Sequence, residues 1–190
     1  MDKPLRRRLH PEARKLEIVE AAERLIQTHG SRVRVEDVVR EAGVAKGTFF
    51  LYFPTWDDLL EAIRGRLVSA FDESNPLPTE IDGPVDWPSL VETQAVAFID
   101  FTMSRHEIGE VLFHSEFAQR RPLADNAILR LSAVIRAGQE AGAFGPVDPE
   151  PTARLLFAVI HEAADAVAGG ADRAAILAAL QSLLRRTLAP

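Results

Sequence analysis

The chain of 190 residues contains no cysteine. Disulfide staples, thiolate metal sites and a cysteine nucleophile are thereby excluded. No run reaches the roughly 20 apolar residues that a membrane-spanning helix needs. The opening stretch MDKPLRRRLHPEARK carries charge with no apolar segment behind it, so it does not read as a secretory signal. The expectation is a cytoplasmic protein with no membrane partner. Also missing are a Gly-x-Ser-x-Gly elbow, a phosphate-binding loop, a dinucleotide fingerprint and a Glu-x-x-His pair. Nucleophilic, nucleotide-dependent and di-iron chemistry lack their parts, so no enzyme, no catalytic residue and no cofactor are expected. Alternating strand-like stretches are absent as well.

What remains is helical periodicity, in a chain that is 47% apolar. PEARKLEIVEAAERLIQTHG opens with Pro11 in its first turn, sets Leu16, Val19, Ala22 and Ile26 on one face and stops at Gly30, which predicts a helix from about Pro11 to His29. VEDVVREAG predicts a short helix ended by Gly43, KGTFFLY a shorter one ended by Pro54. WDDLLEAIRGRLVSAF predicts a fourth helix capped by Thr55, with Asp57 and Asp58 at the positive end of its dipole. DESNPLPTEIDGPVDWP then gathers proline, glycine and acids into a linker, the best domain boundary. Beyond it, SLVETQAVAFIDFTMSRH is apolar nearly all round, as suits a helix buried among others. HEIGEVLFHSEFAQ continues it after a kink, and Pro122 to Ala141 reads as a further long helix. TARLLFAVIHEAADAVAGG and ADRAAILAALQSLLRRTL make an antiparallel pair joined at Gly169-Gly170, with Asp172 near the start of the last helix. The fold class is all-α. A head over residues 1–72 precedes a helical body over residues 73–190.

Charge divides along the same line. Residues 1–56 hold 11 Lys+Arg against 8 Asp+Glu, and the remaining 134 hold 11 against 20. A basic head suits a polyanion, while an acidic body repels one. The second and third helices have the spacing of a helix-turn-helix over about residues 34–53. Ala42 is small where the helices cross, Gly43 takes the left-handed turn and Val44 plugs the crossing. Phe49 and Phe53 would face inward with Val35, Val38 and Val39. The other face, with Ala45, Lys46, Thr48, Phe50 and Tyr52, would enter a major groove.

VEDVVREAGVAKGTFFLYF, with its Ala-Gly-Val turn and Gly-Thr-aromatic run, resembles the DNA-binding domain of the TetR family of ligand-responsive transcriptional regulators; the resemblance covers residues 12–60. It implies a dimeric repressor that binds double-stranded operator DNA. Lys46 and Gly47 would begin the recognition helix. Gly47 would let the backbone approach DNA, the Thr48 hydroxyl would reach phosphate or base, and the Tyr52 phenol would reach phosphate. The chain departs from the family pattern at four places. Ala45 stands where a capping hydroxyl is usual, Phe50 where tyrosine is common, Arg34 where threonine often caps, and Trp56 where lysine is common. Phosphate anchoring is therefore expected to shift toward Arg34, Lys46 and the arm Arg6–Arg8.

The same resemblance implies a small-molecule effector among the body helices and a homodimer through the last two. The stripes Leu155, Leu156, Val159, Ile160, Ala163, Ala166 and Val167, then Ile176, Ala179, Leu180, Leu183 and Leu184, are wide enough for a protomer core and a four-helix contact. Candidate ligand-binding residues are Phe98, Phe101, Thr102, Met103, His114, Phe117, Phe157 and His161, an aromatic and weakly charged set suited to a lipophilic effector. Phe113 belongs to the same apolar group. His106, Glu110 and His114, and His161 with Asp165, recur at one-turn spacing. No metal site is assigned to them. A metal-responsive regulator and a helical protein-interaction module stand as alternatives.

Overall fold

The computed structural model describes residues 10–77, 85–120 and 126–190. The arm Arg6–Arg8, part of the linker and the expected helix start at Pro122 lie outside these residues. Among the described residues there are α-helices, one 3-10 turn (Gly30–Arg32) and no strand. The helices are α1 (Pro11–His29), α2 (Val35–Glu41), α3 (Lys46–Tyr52), α4 (Trp56–Ser74), α5 (Trp87–Ser104), α6 (His106–Phe113), α7 (Glu116–Arg120), α8 (Asn126–Glu140), α9 (Pro149–Ala168) and α10 (Arg173–Leu188). They form two compact units, one within Met1–Ser69 and Glu107–Arg121, the other within Ala70–His106 and Pro122–Pro190.

The first unit is built around Ile18, Ala22 and Ile26 of α1, Val38 of α2, Phe49 of α3, Phe53, and Leu59 and Ile63 of α4, all essentially without solvent exposure. Leu16, expected on the buried face of α1, is instead 43% exposed. At 100° per residue the buried arc runs through Ile18, Val19, Ala22 and Ile26, and Leu16 falls just beyond its edge. Thr55 and Asp58 cap α4 reciprocally: the Thr55 amide donates to Asp58 Oδ2 at 2.9 Å, and the Asp58 amide donates to Thr55 Oγ1 at 3.1 Å. Arg66 of α4 reaches Glu20 at 3.2 Å and Glu23 at 3.1 Å on α1.

The expected single helix from His106 to Gln119 is two. Ser115 Oγ donates to the Val111 carbonyl at 2.6 Å and accepts from the Phe117 amide at 3.1 Å. The hydroxyl closes α6 and opens α7, the competition with helical bonding that serine side chains offer. Phe117 is buried, with the Arg64 guanidinium 5.0 Å from its ring centre.

In the second unit α9 packs on α8, α5 and α10. Its core joins Val91, Ala95 and Ile99 to Ile135, Leu156, Ile160, Ala164, Leu180 and Leu184. Glu92 near the start of α5 pairs with Arg185 near the end of α10, and Asp100 near the end of α5 pairs with Arg173 at the start of α10, 2.7 Å apart. The two ion pairs mark α5 and α10 as antiparallel. α9 begins at Pro149, three residues before the expected start, because prolines at its first turn lack only amides that no helical carbonyl would have used. It ends where Gly170, at φ 94°, lets the Ala171 amide reach back to the Ala166 carbonyl at 3.0 Å. Asp172 then caps α10, accepting from the Ala174 amide at 2.9 Å.

Candidate nucleic-acid interface

The turn between α2 and α3 follows from one glycine. Gly43 has φ 63°, and with it the Gly43 amide bonds to the Arg40 carbonyl at 3.2 Å and the Val44 amide to the Val39 carbonyl at 3.0 Å. This pair of reversed bonds satisfies the last carbonyls of α2 and redirects the chain into α3. At the start of α2 the Arg34 amide donates to Asp37 Oδ2 at 3.1 Å. A guanidinium has no acceptor and so cannot cap. Arg34 turns its Nη1 onto the Ser31 carbonyl at 3.0 Å and the Val33 carbonyl at 3.3 Å, steadying the turn ahead of α2 while staying exposed.

α3 is held from below by Phe49 and Phe53, whose rings lie 5.8 Å apart and are fully buried. Ala45 sits at the cap position of α3 with no side-chain bond to its first turn. Ala45, Lys46 and Gly47 are exposed, and Thr48 and Tyr52 are half-buried. Phe50 is 41% exposed, its ring edge-on to Phe49 at 5.3 Å. The centre of the outward face belongs to Leu51, 78% exposed, which the motif reading passed over. The helical wheel carries the signal: a face buried at Phe49 and Phe53 has its opposite at Leu51, and leaves Phe50 and Tyr52 on the flanks.

Electrostatics at this surface centre on Lys46. Its Nζ donates to Glu36 Oε1 of α2 at 2.6 Å, both side chains standing well out in solvent. The Lys46 hydrogen bond, then a bond to Glu36's own backbone, holds the Glu36 carboxyl below the usual carboxylate range. Lys46, Glu36, Phe50 and Trp56 line a groove with Val33, Arg34 and Val35, about 230 Å³ in volume. Trp56 thus replaces the cation usual at the start of α4 with an apolar wall.

The ligand-binding candidates divide between the units. In the second, Phe98, Phe157 and His161 form an aromatic cluster, Phe98 lying 5.5 Å from Phe157 and 5.6 Å from His161. Phe71, on the last turn of α4, extends it toward Phe98 at 5.9 Å and Phe101 at 5.3 Å and was absent from the sequence-based set. Arg105 stacks its guanidinium 4.1 Å from the Phe101 ring centre. Thr102 is half-buried and Met103 is 37% exposed. His161 Nδ1 lies 3.6 Å from Asp165 Oδ2 one turn on. Phe117 and His114 belong to the first unit, Phe117 in its core and His114 exposed, as are His106 and Glu110.

Residues 18–63 match the profile of the bacterial regulatory proteins, tetR family. The HTH-type transcriptional regulator YfiR of Bacillus subtilis is 23% identical over 162 residues, which span 78% of this chain and 76% of YfiR. Among solved structures, RolR in complex with resorcinol superposes with a TM-score of 0.72 at 18% identity, covering 94% of this chain and 89% of that one. A TetR-family transcriptional regulator from Pectobacterium atrosepticum gives 0.71 at 20% identity over 97% and 99% of the two chains. A TetR transcription regulator from Haloarcula marismortui gives 0.71 at 21% over 93% and 97%. These structural likenesses carry the all-α fold, and no described helix is long and apolar enough to cross a membrane. The Gly43 turn, the buried Phe49 and the exposed face of α3 all fall inside the matched segment, so residues 18–63 form a helix-turn-helix of the tetR-family type.

Proposed function

We propose that the chain is a cytoplasmic, dimeric repressor. Its head, residues 1–72, binds a palindromic operator through Arg34, Ala45, Lys46, Gly47, Thr48, Phe50 and Tyr52. Its body, residues 73–190, holds a small lipophilic effector and forms the dimer. One observation supports the DNA-facing role of α3 above the others. A Cβ built on Gly47 meets nothing within 4 Å, and Gly47 has no positive φ. Neither packing nor backbone strain calls for glycine there, in a helix where glycine is the poorer former by about 1 kcal/mol than alanine. Space kept clear for a backbone outside the chain accounts for it.

The dimer reading rests on the outward residues of the last two helices. Leu155 is 69% and Leu183 39% exposed, while Leu156, Ile160, Leu180 and Leu184 on the same helices are buried. The exposed side of α10 adds Ala175 and Ala179, small residues that let helices of two copies approach. The effector reading rests on the cluster of Phe71, Phe98, Phe101, Phe157 and His161, and on the ligand of RolR, resorcinol, a small aromatic. Effector binding would shift α4 and spread the recognition helices, a coupling that need supply only about 1–3 kcal/mol.

Gly47→Ala tests the central claim. The thermal midpoint should hold or rise, and affinity for a duplex enriched by the wild-type protein from a randomised pool should fall. Unchanged affinity would remove α3 from the interface. A steep decline of wild-type binding with salt separates DNA recognition from an apolar protein contact.

A further inference from the structure

The Lys46–Glu36 pair is an unusual thing to place on a surface that meets a polyanion. A lysine alone would settle on the nearest phosphate, adding affinity to every sequence alike. Here Nζ is 2.6 Å from Glu36 Oε1, and the pair spans the two helices of the motif at the edge of the groove that Phe50 and Trp56 line. Both side chains are more than half exposed, so the pair adds little to folding. Its placement calls for a reason other than stability.

Resting on the reading of α3 as the recognition helix, we propose that Glu36 is a specificity-determining residue that acts through Lys46. A Lys46 that left Glu36 for a phosphate would strand a carboxylate against DNA with no donor to face. A Lys46 that stays paired brings a donor and an acceptor side by side. The matching surface is a major-groove base edge on which, in a fixed order across the groove, an acceptor precedes an amino donor: guanine O6 beside cytosine N4, or thymine O4 beside adenine N6, and not the same pairs reversed. Pairs turned the other way, which set a donor before Lys46 and an acceptor before Glu36, are penalised, and pairs in the matching order are not. Selectivity then comes from the disfavoured alternatives as much as from the favoured contact.

The experiment compares wild type, Glu36→Gln, Lys46→Ala and the double variant on two probes. One is a duplex of about 30 bp, long enough for two half-sites one turn apart, enriched by wild type from a randomised pool. The other is the unselected pool. Glu36→Gln should tighten binding to the unselected pool, steepen its salt slope by about 1, and lower the ratio of selected to unselected affinity about tenfold, the share of one base contact. In the Lys46→Ala background the same substitution should leave slope and ratio unchanged. An equal fall of the ratio in both backgrounds would mean general repulsion by Glu36 and overturn the proposal, as would no change in either. If wild type enriches no sequence, the DNA-regulator reading beneath it fails first. Matching helical circular dichroism across the four proteins guards against loss of fold.

Discussion

Arg120 meets Asp57 through two parallel hydrogen bonds, Nε to Oδ2 at 2.8 Å and Nη2 to Oδ1 at 2.9 Å. The residues stand 63 apart in sequence, and the fork joins the short helix α7 to the first turn of α4 within one unit. A planar guanidinium makes this two-point contact and an ammonium cannot. Arg120→Ala and Arg120→Lys should therefore both speed amide exchange at Phe117 to Arg120, with α1 amides unchanged. Equal protection in wild type and Arg120→Lys would show that charge alone holds α7.

Phe49 and Leu51, two residues apart, should respond in opposite ways. Phe49 is fully buried, and Phe49→Ala should cost about 3–5 kcal/mol in chemical denaturation and take DNA binding with it. Leu51 is 78% exposed, and Leu51→Ala should change stability by no more than about 0.5 kcal/mol. Its operator affinity should drop on the order of 1 kcal/mol, as loss of an apolar contact to a base would.

The titration of Glu36 reports on Lys46. Because the lysine hydrogen bond is the largest cause of the lowered Glu36 pKa, Lys46→Ala should move it upward toward the ordinary carboxylate value, read from side-chain carboxyl shifts by NMR. The sign for stability follows. A depressed folded-state pKa contributes above the unfolded value and is lost as pH falls through the folded one, so this contribution is present at neutral pH and disappears in acid. An unchanged Glu36 titration in Lys46→Ala would show that the pair is not formed in solution.

Two helical glycines should separate by their surroundings. A Cβ at Gly138 would lie 2.2 Å from Cδ2 of the buried Phe144, a clash that outweighs the roughly 1 kcal/mol of helix propensity gained, so Gly138→Ala should destabilise by about 1–3 kcal/mol. A Cβ at Gly65 in α4 meets nothing within 4 Å, and Gly65→Ala should stabilise by up to about 1 kcal/mol. Urea midpoints moving in the same direction would contradict this account.

Leu155→Asp combined with Leu183→Asp should yield a monomer by analytical ultracentrifugation. The helical circular dichroism should be retained, because neither side chain is in the protomer core. Operator binding should weaken steeply, since two half-sites no longer bind as one. A dimer that survives both charges would move the interface elsewhere.

Much of the fold was legible because it rests on local rules. Pro11 at the start of α1, Thr55 and Asp172 as caps, and Gly43 and Gly170 at helix ends each act within one turn of chain, and each stands where its chemistry placed it. The four-residue spacing of Phe49 and Phe53 sufficed to bury them. Partners distant in sequence were not legible. Glu92 finding Arg185, Arg120 finding Asp57 and Lys46 finding Glu36 depend on which helices pack together, and an isolated charge pattern does not say. The break at Ser115 likewise turned on a hydroxyl choosing a backbone carbonyl over solvent. By itself the sequence determined an all-helical chain with a helix-turn-helix near its start, because periodicity, caps and turn glycines are short-range. Tertiary packing decided that Leu51 crowns the outward face of α3 and that Lys46 is already held by a carboxylate, because exposure and ion pairing follow from how helices lie against one another.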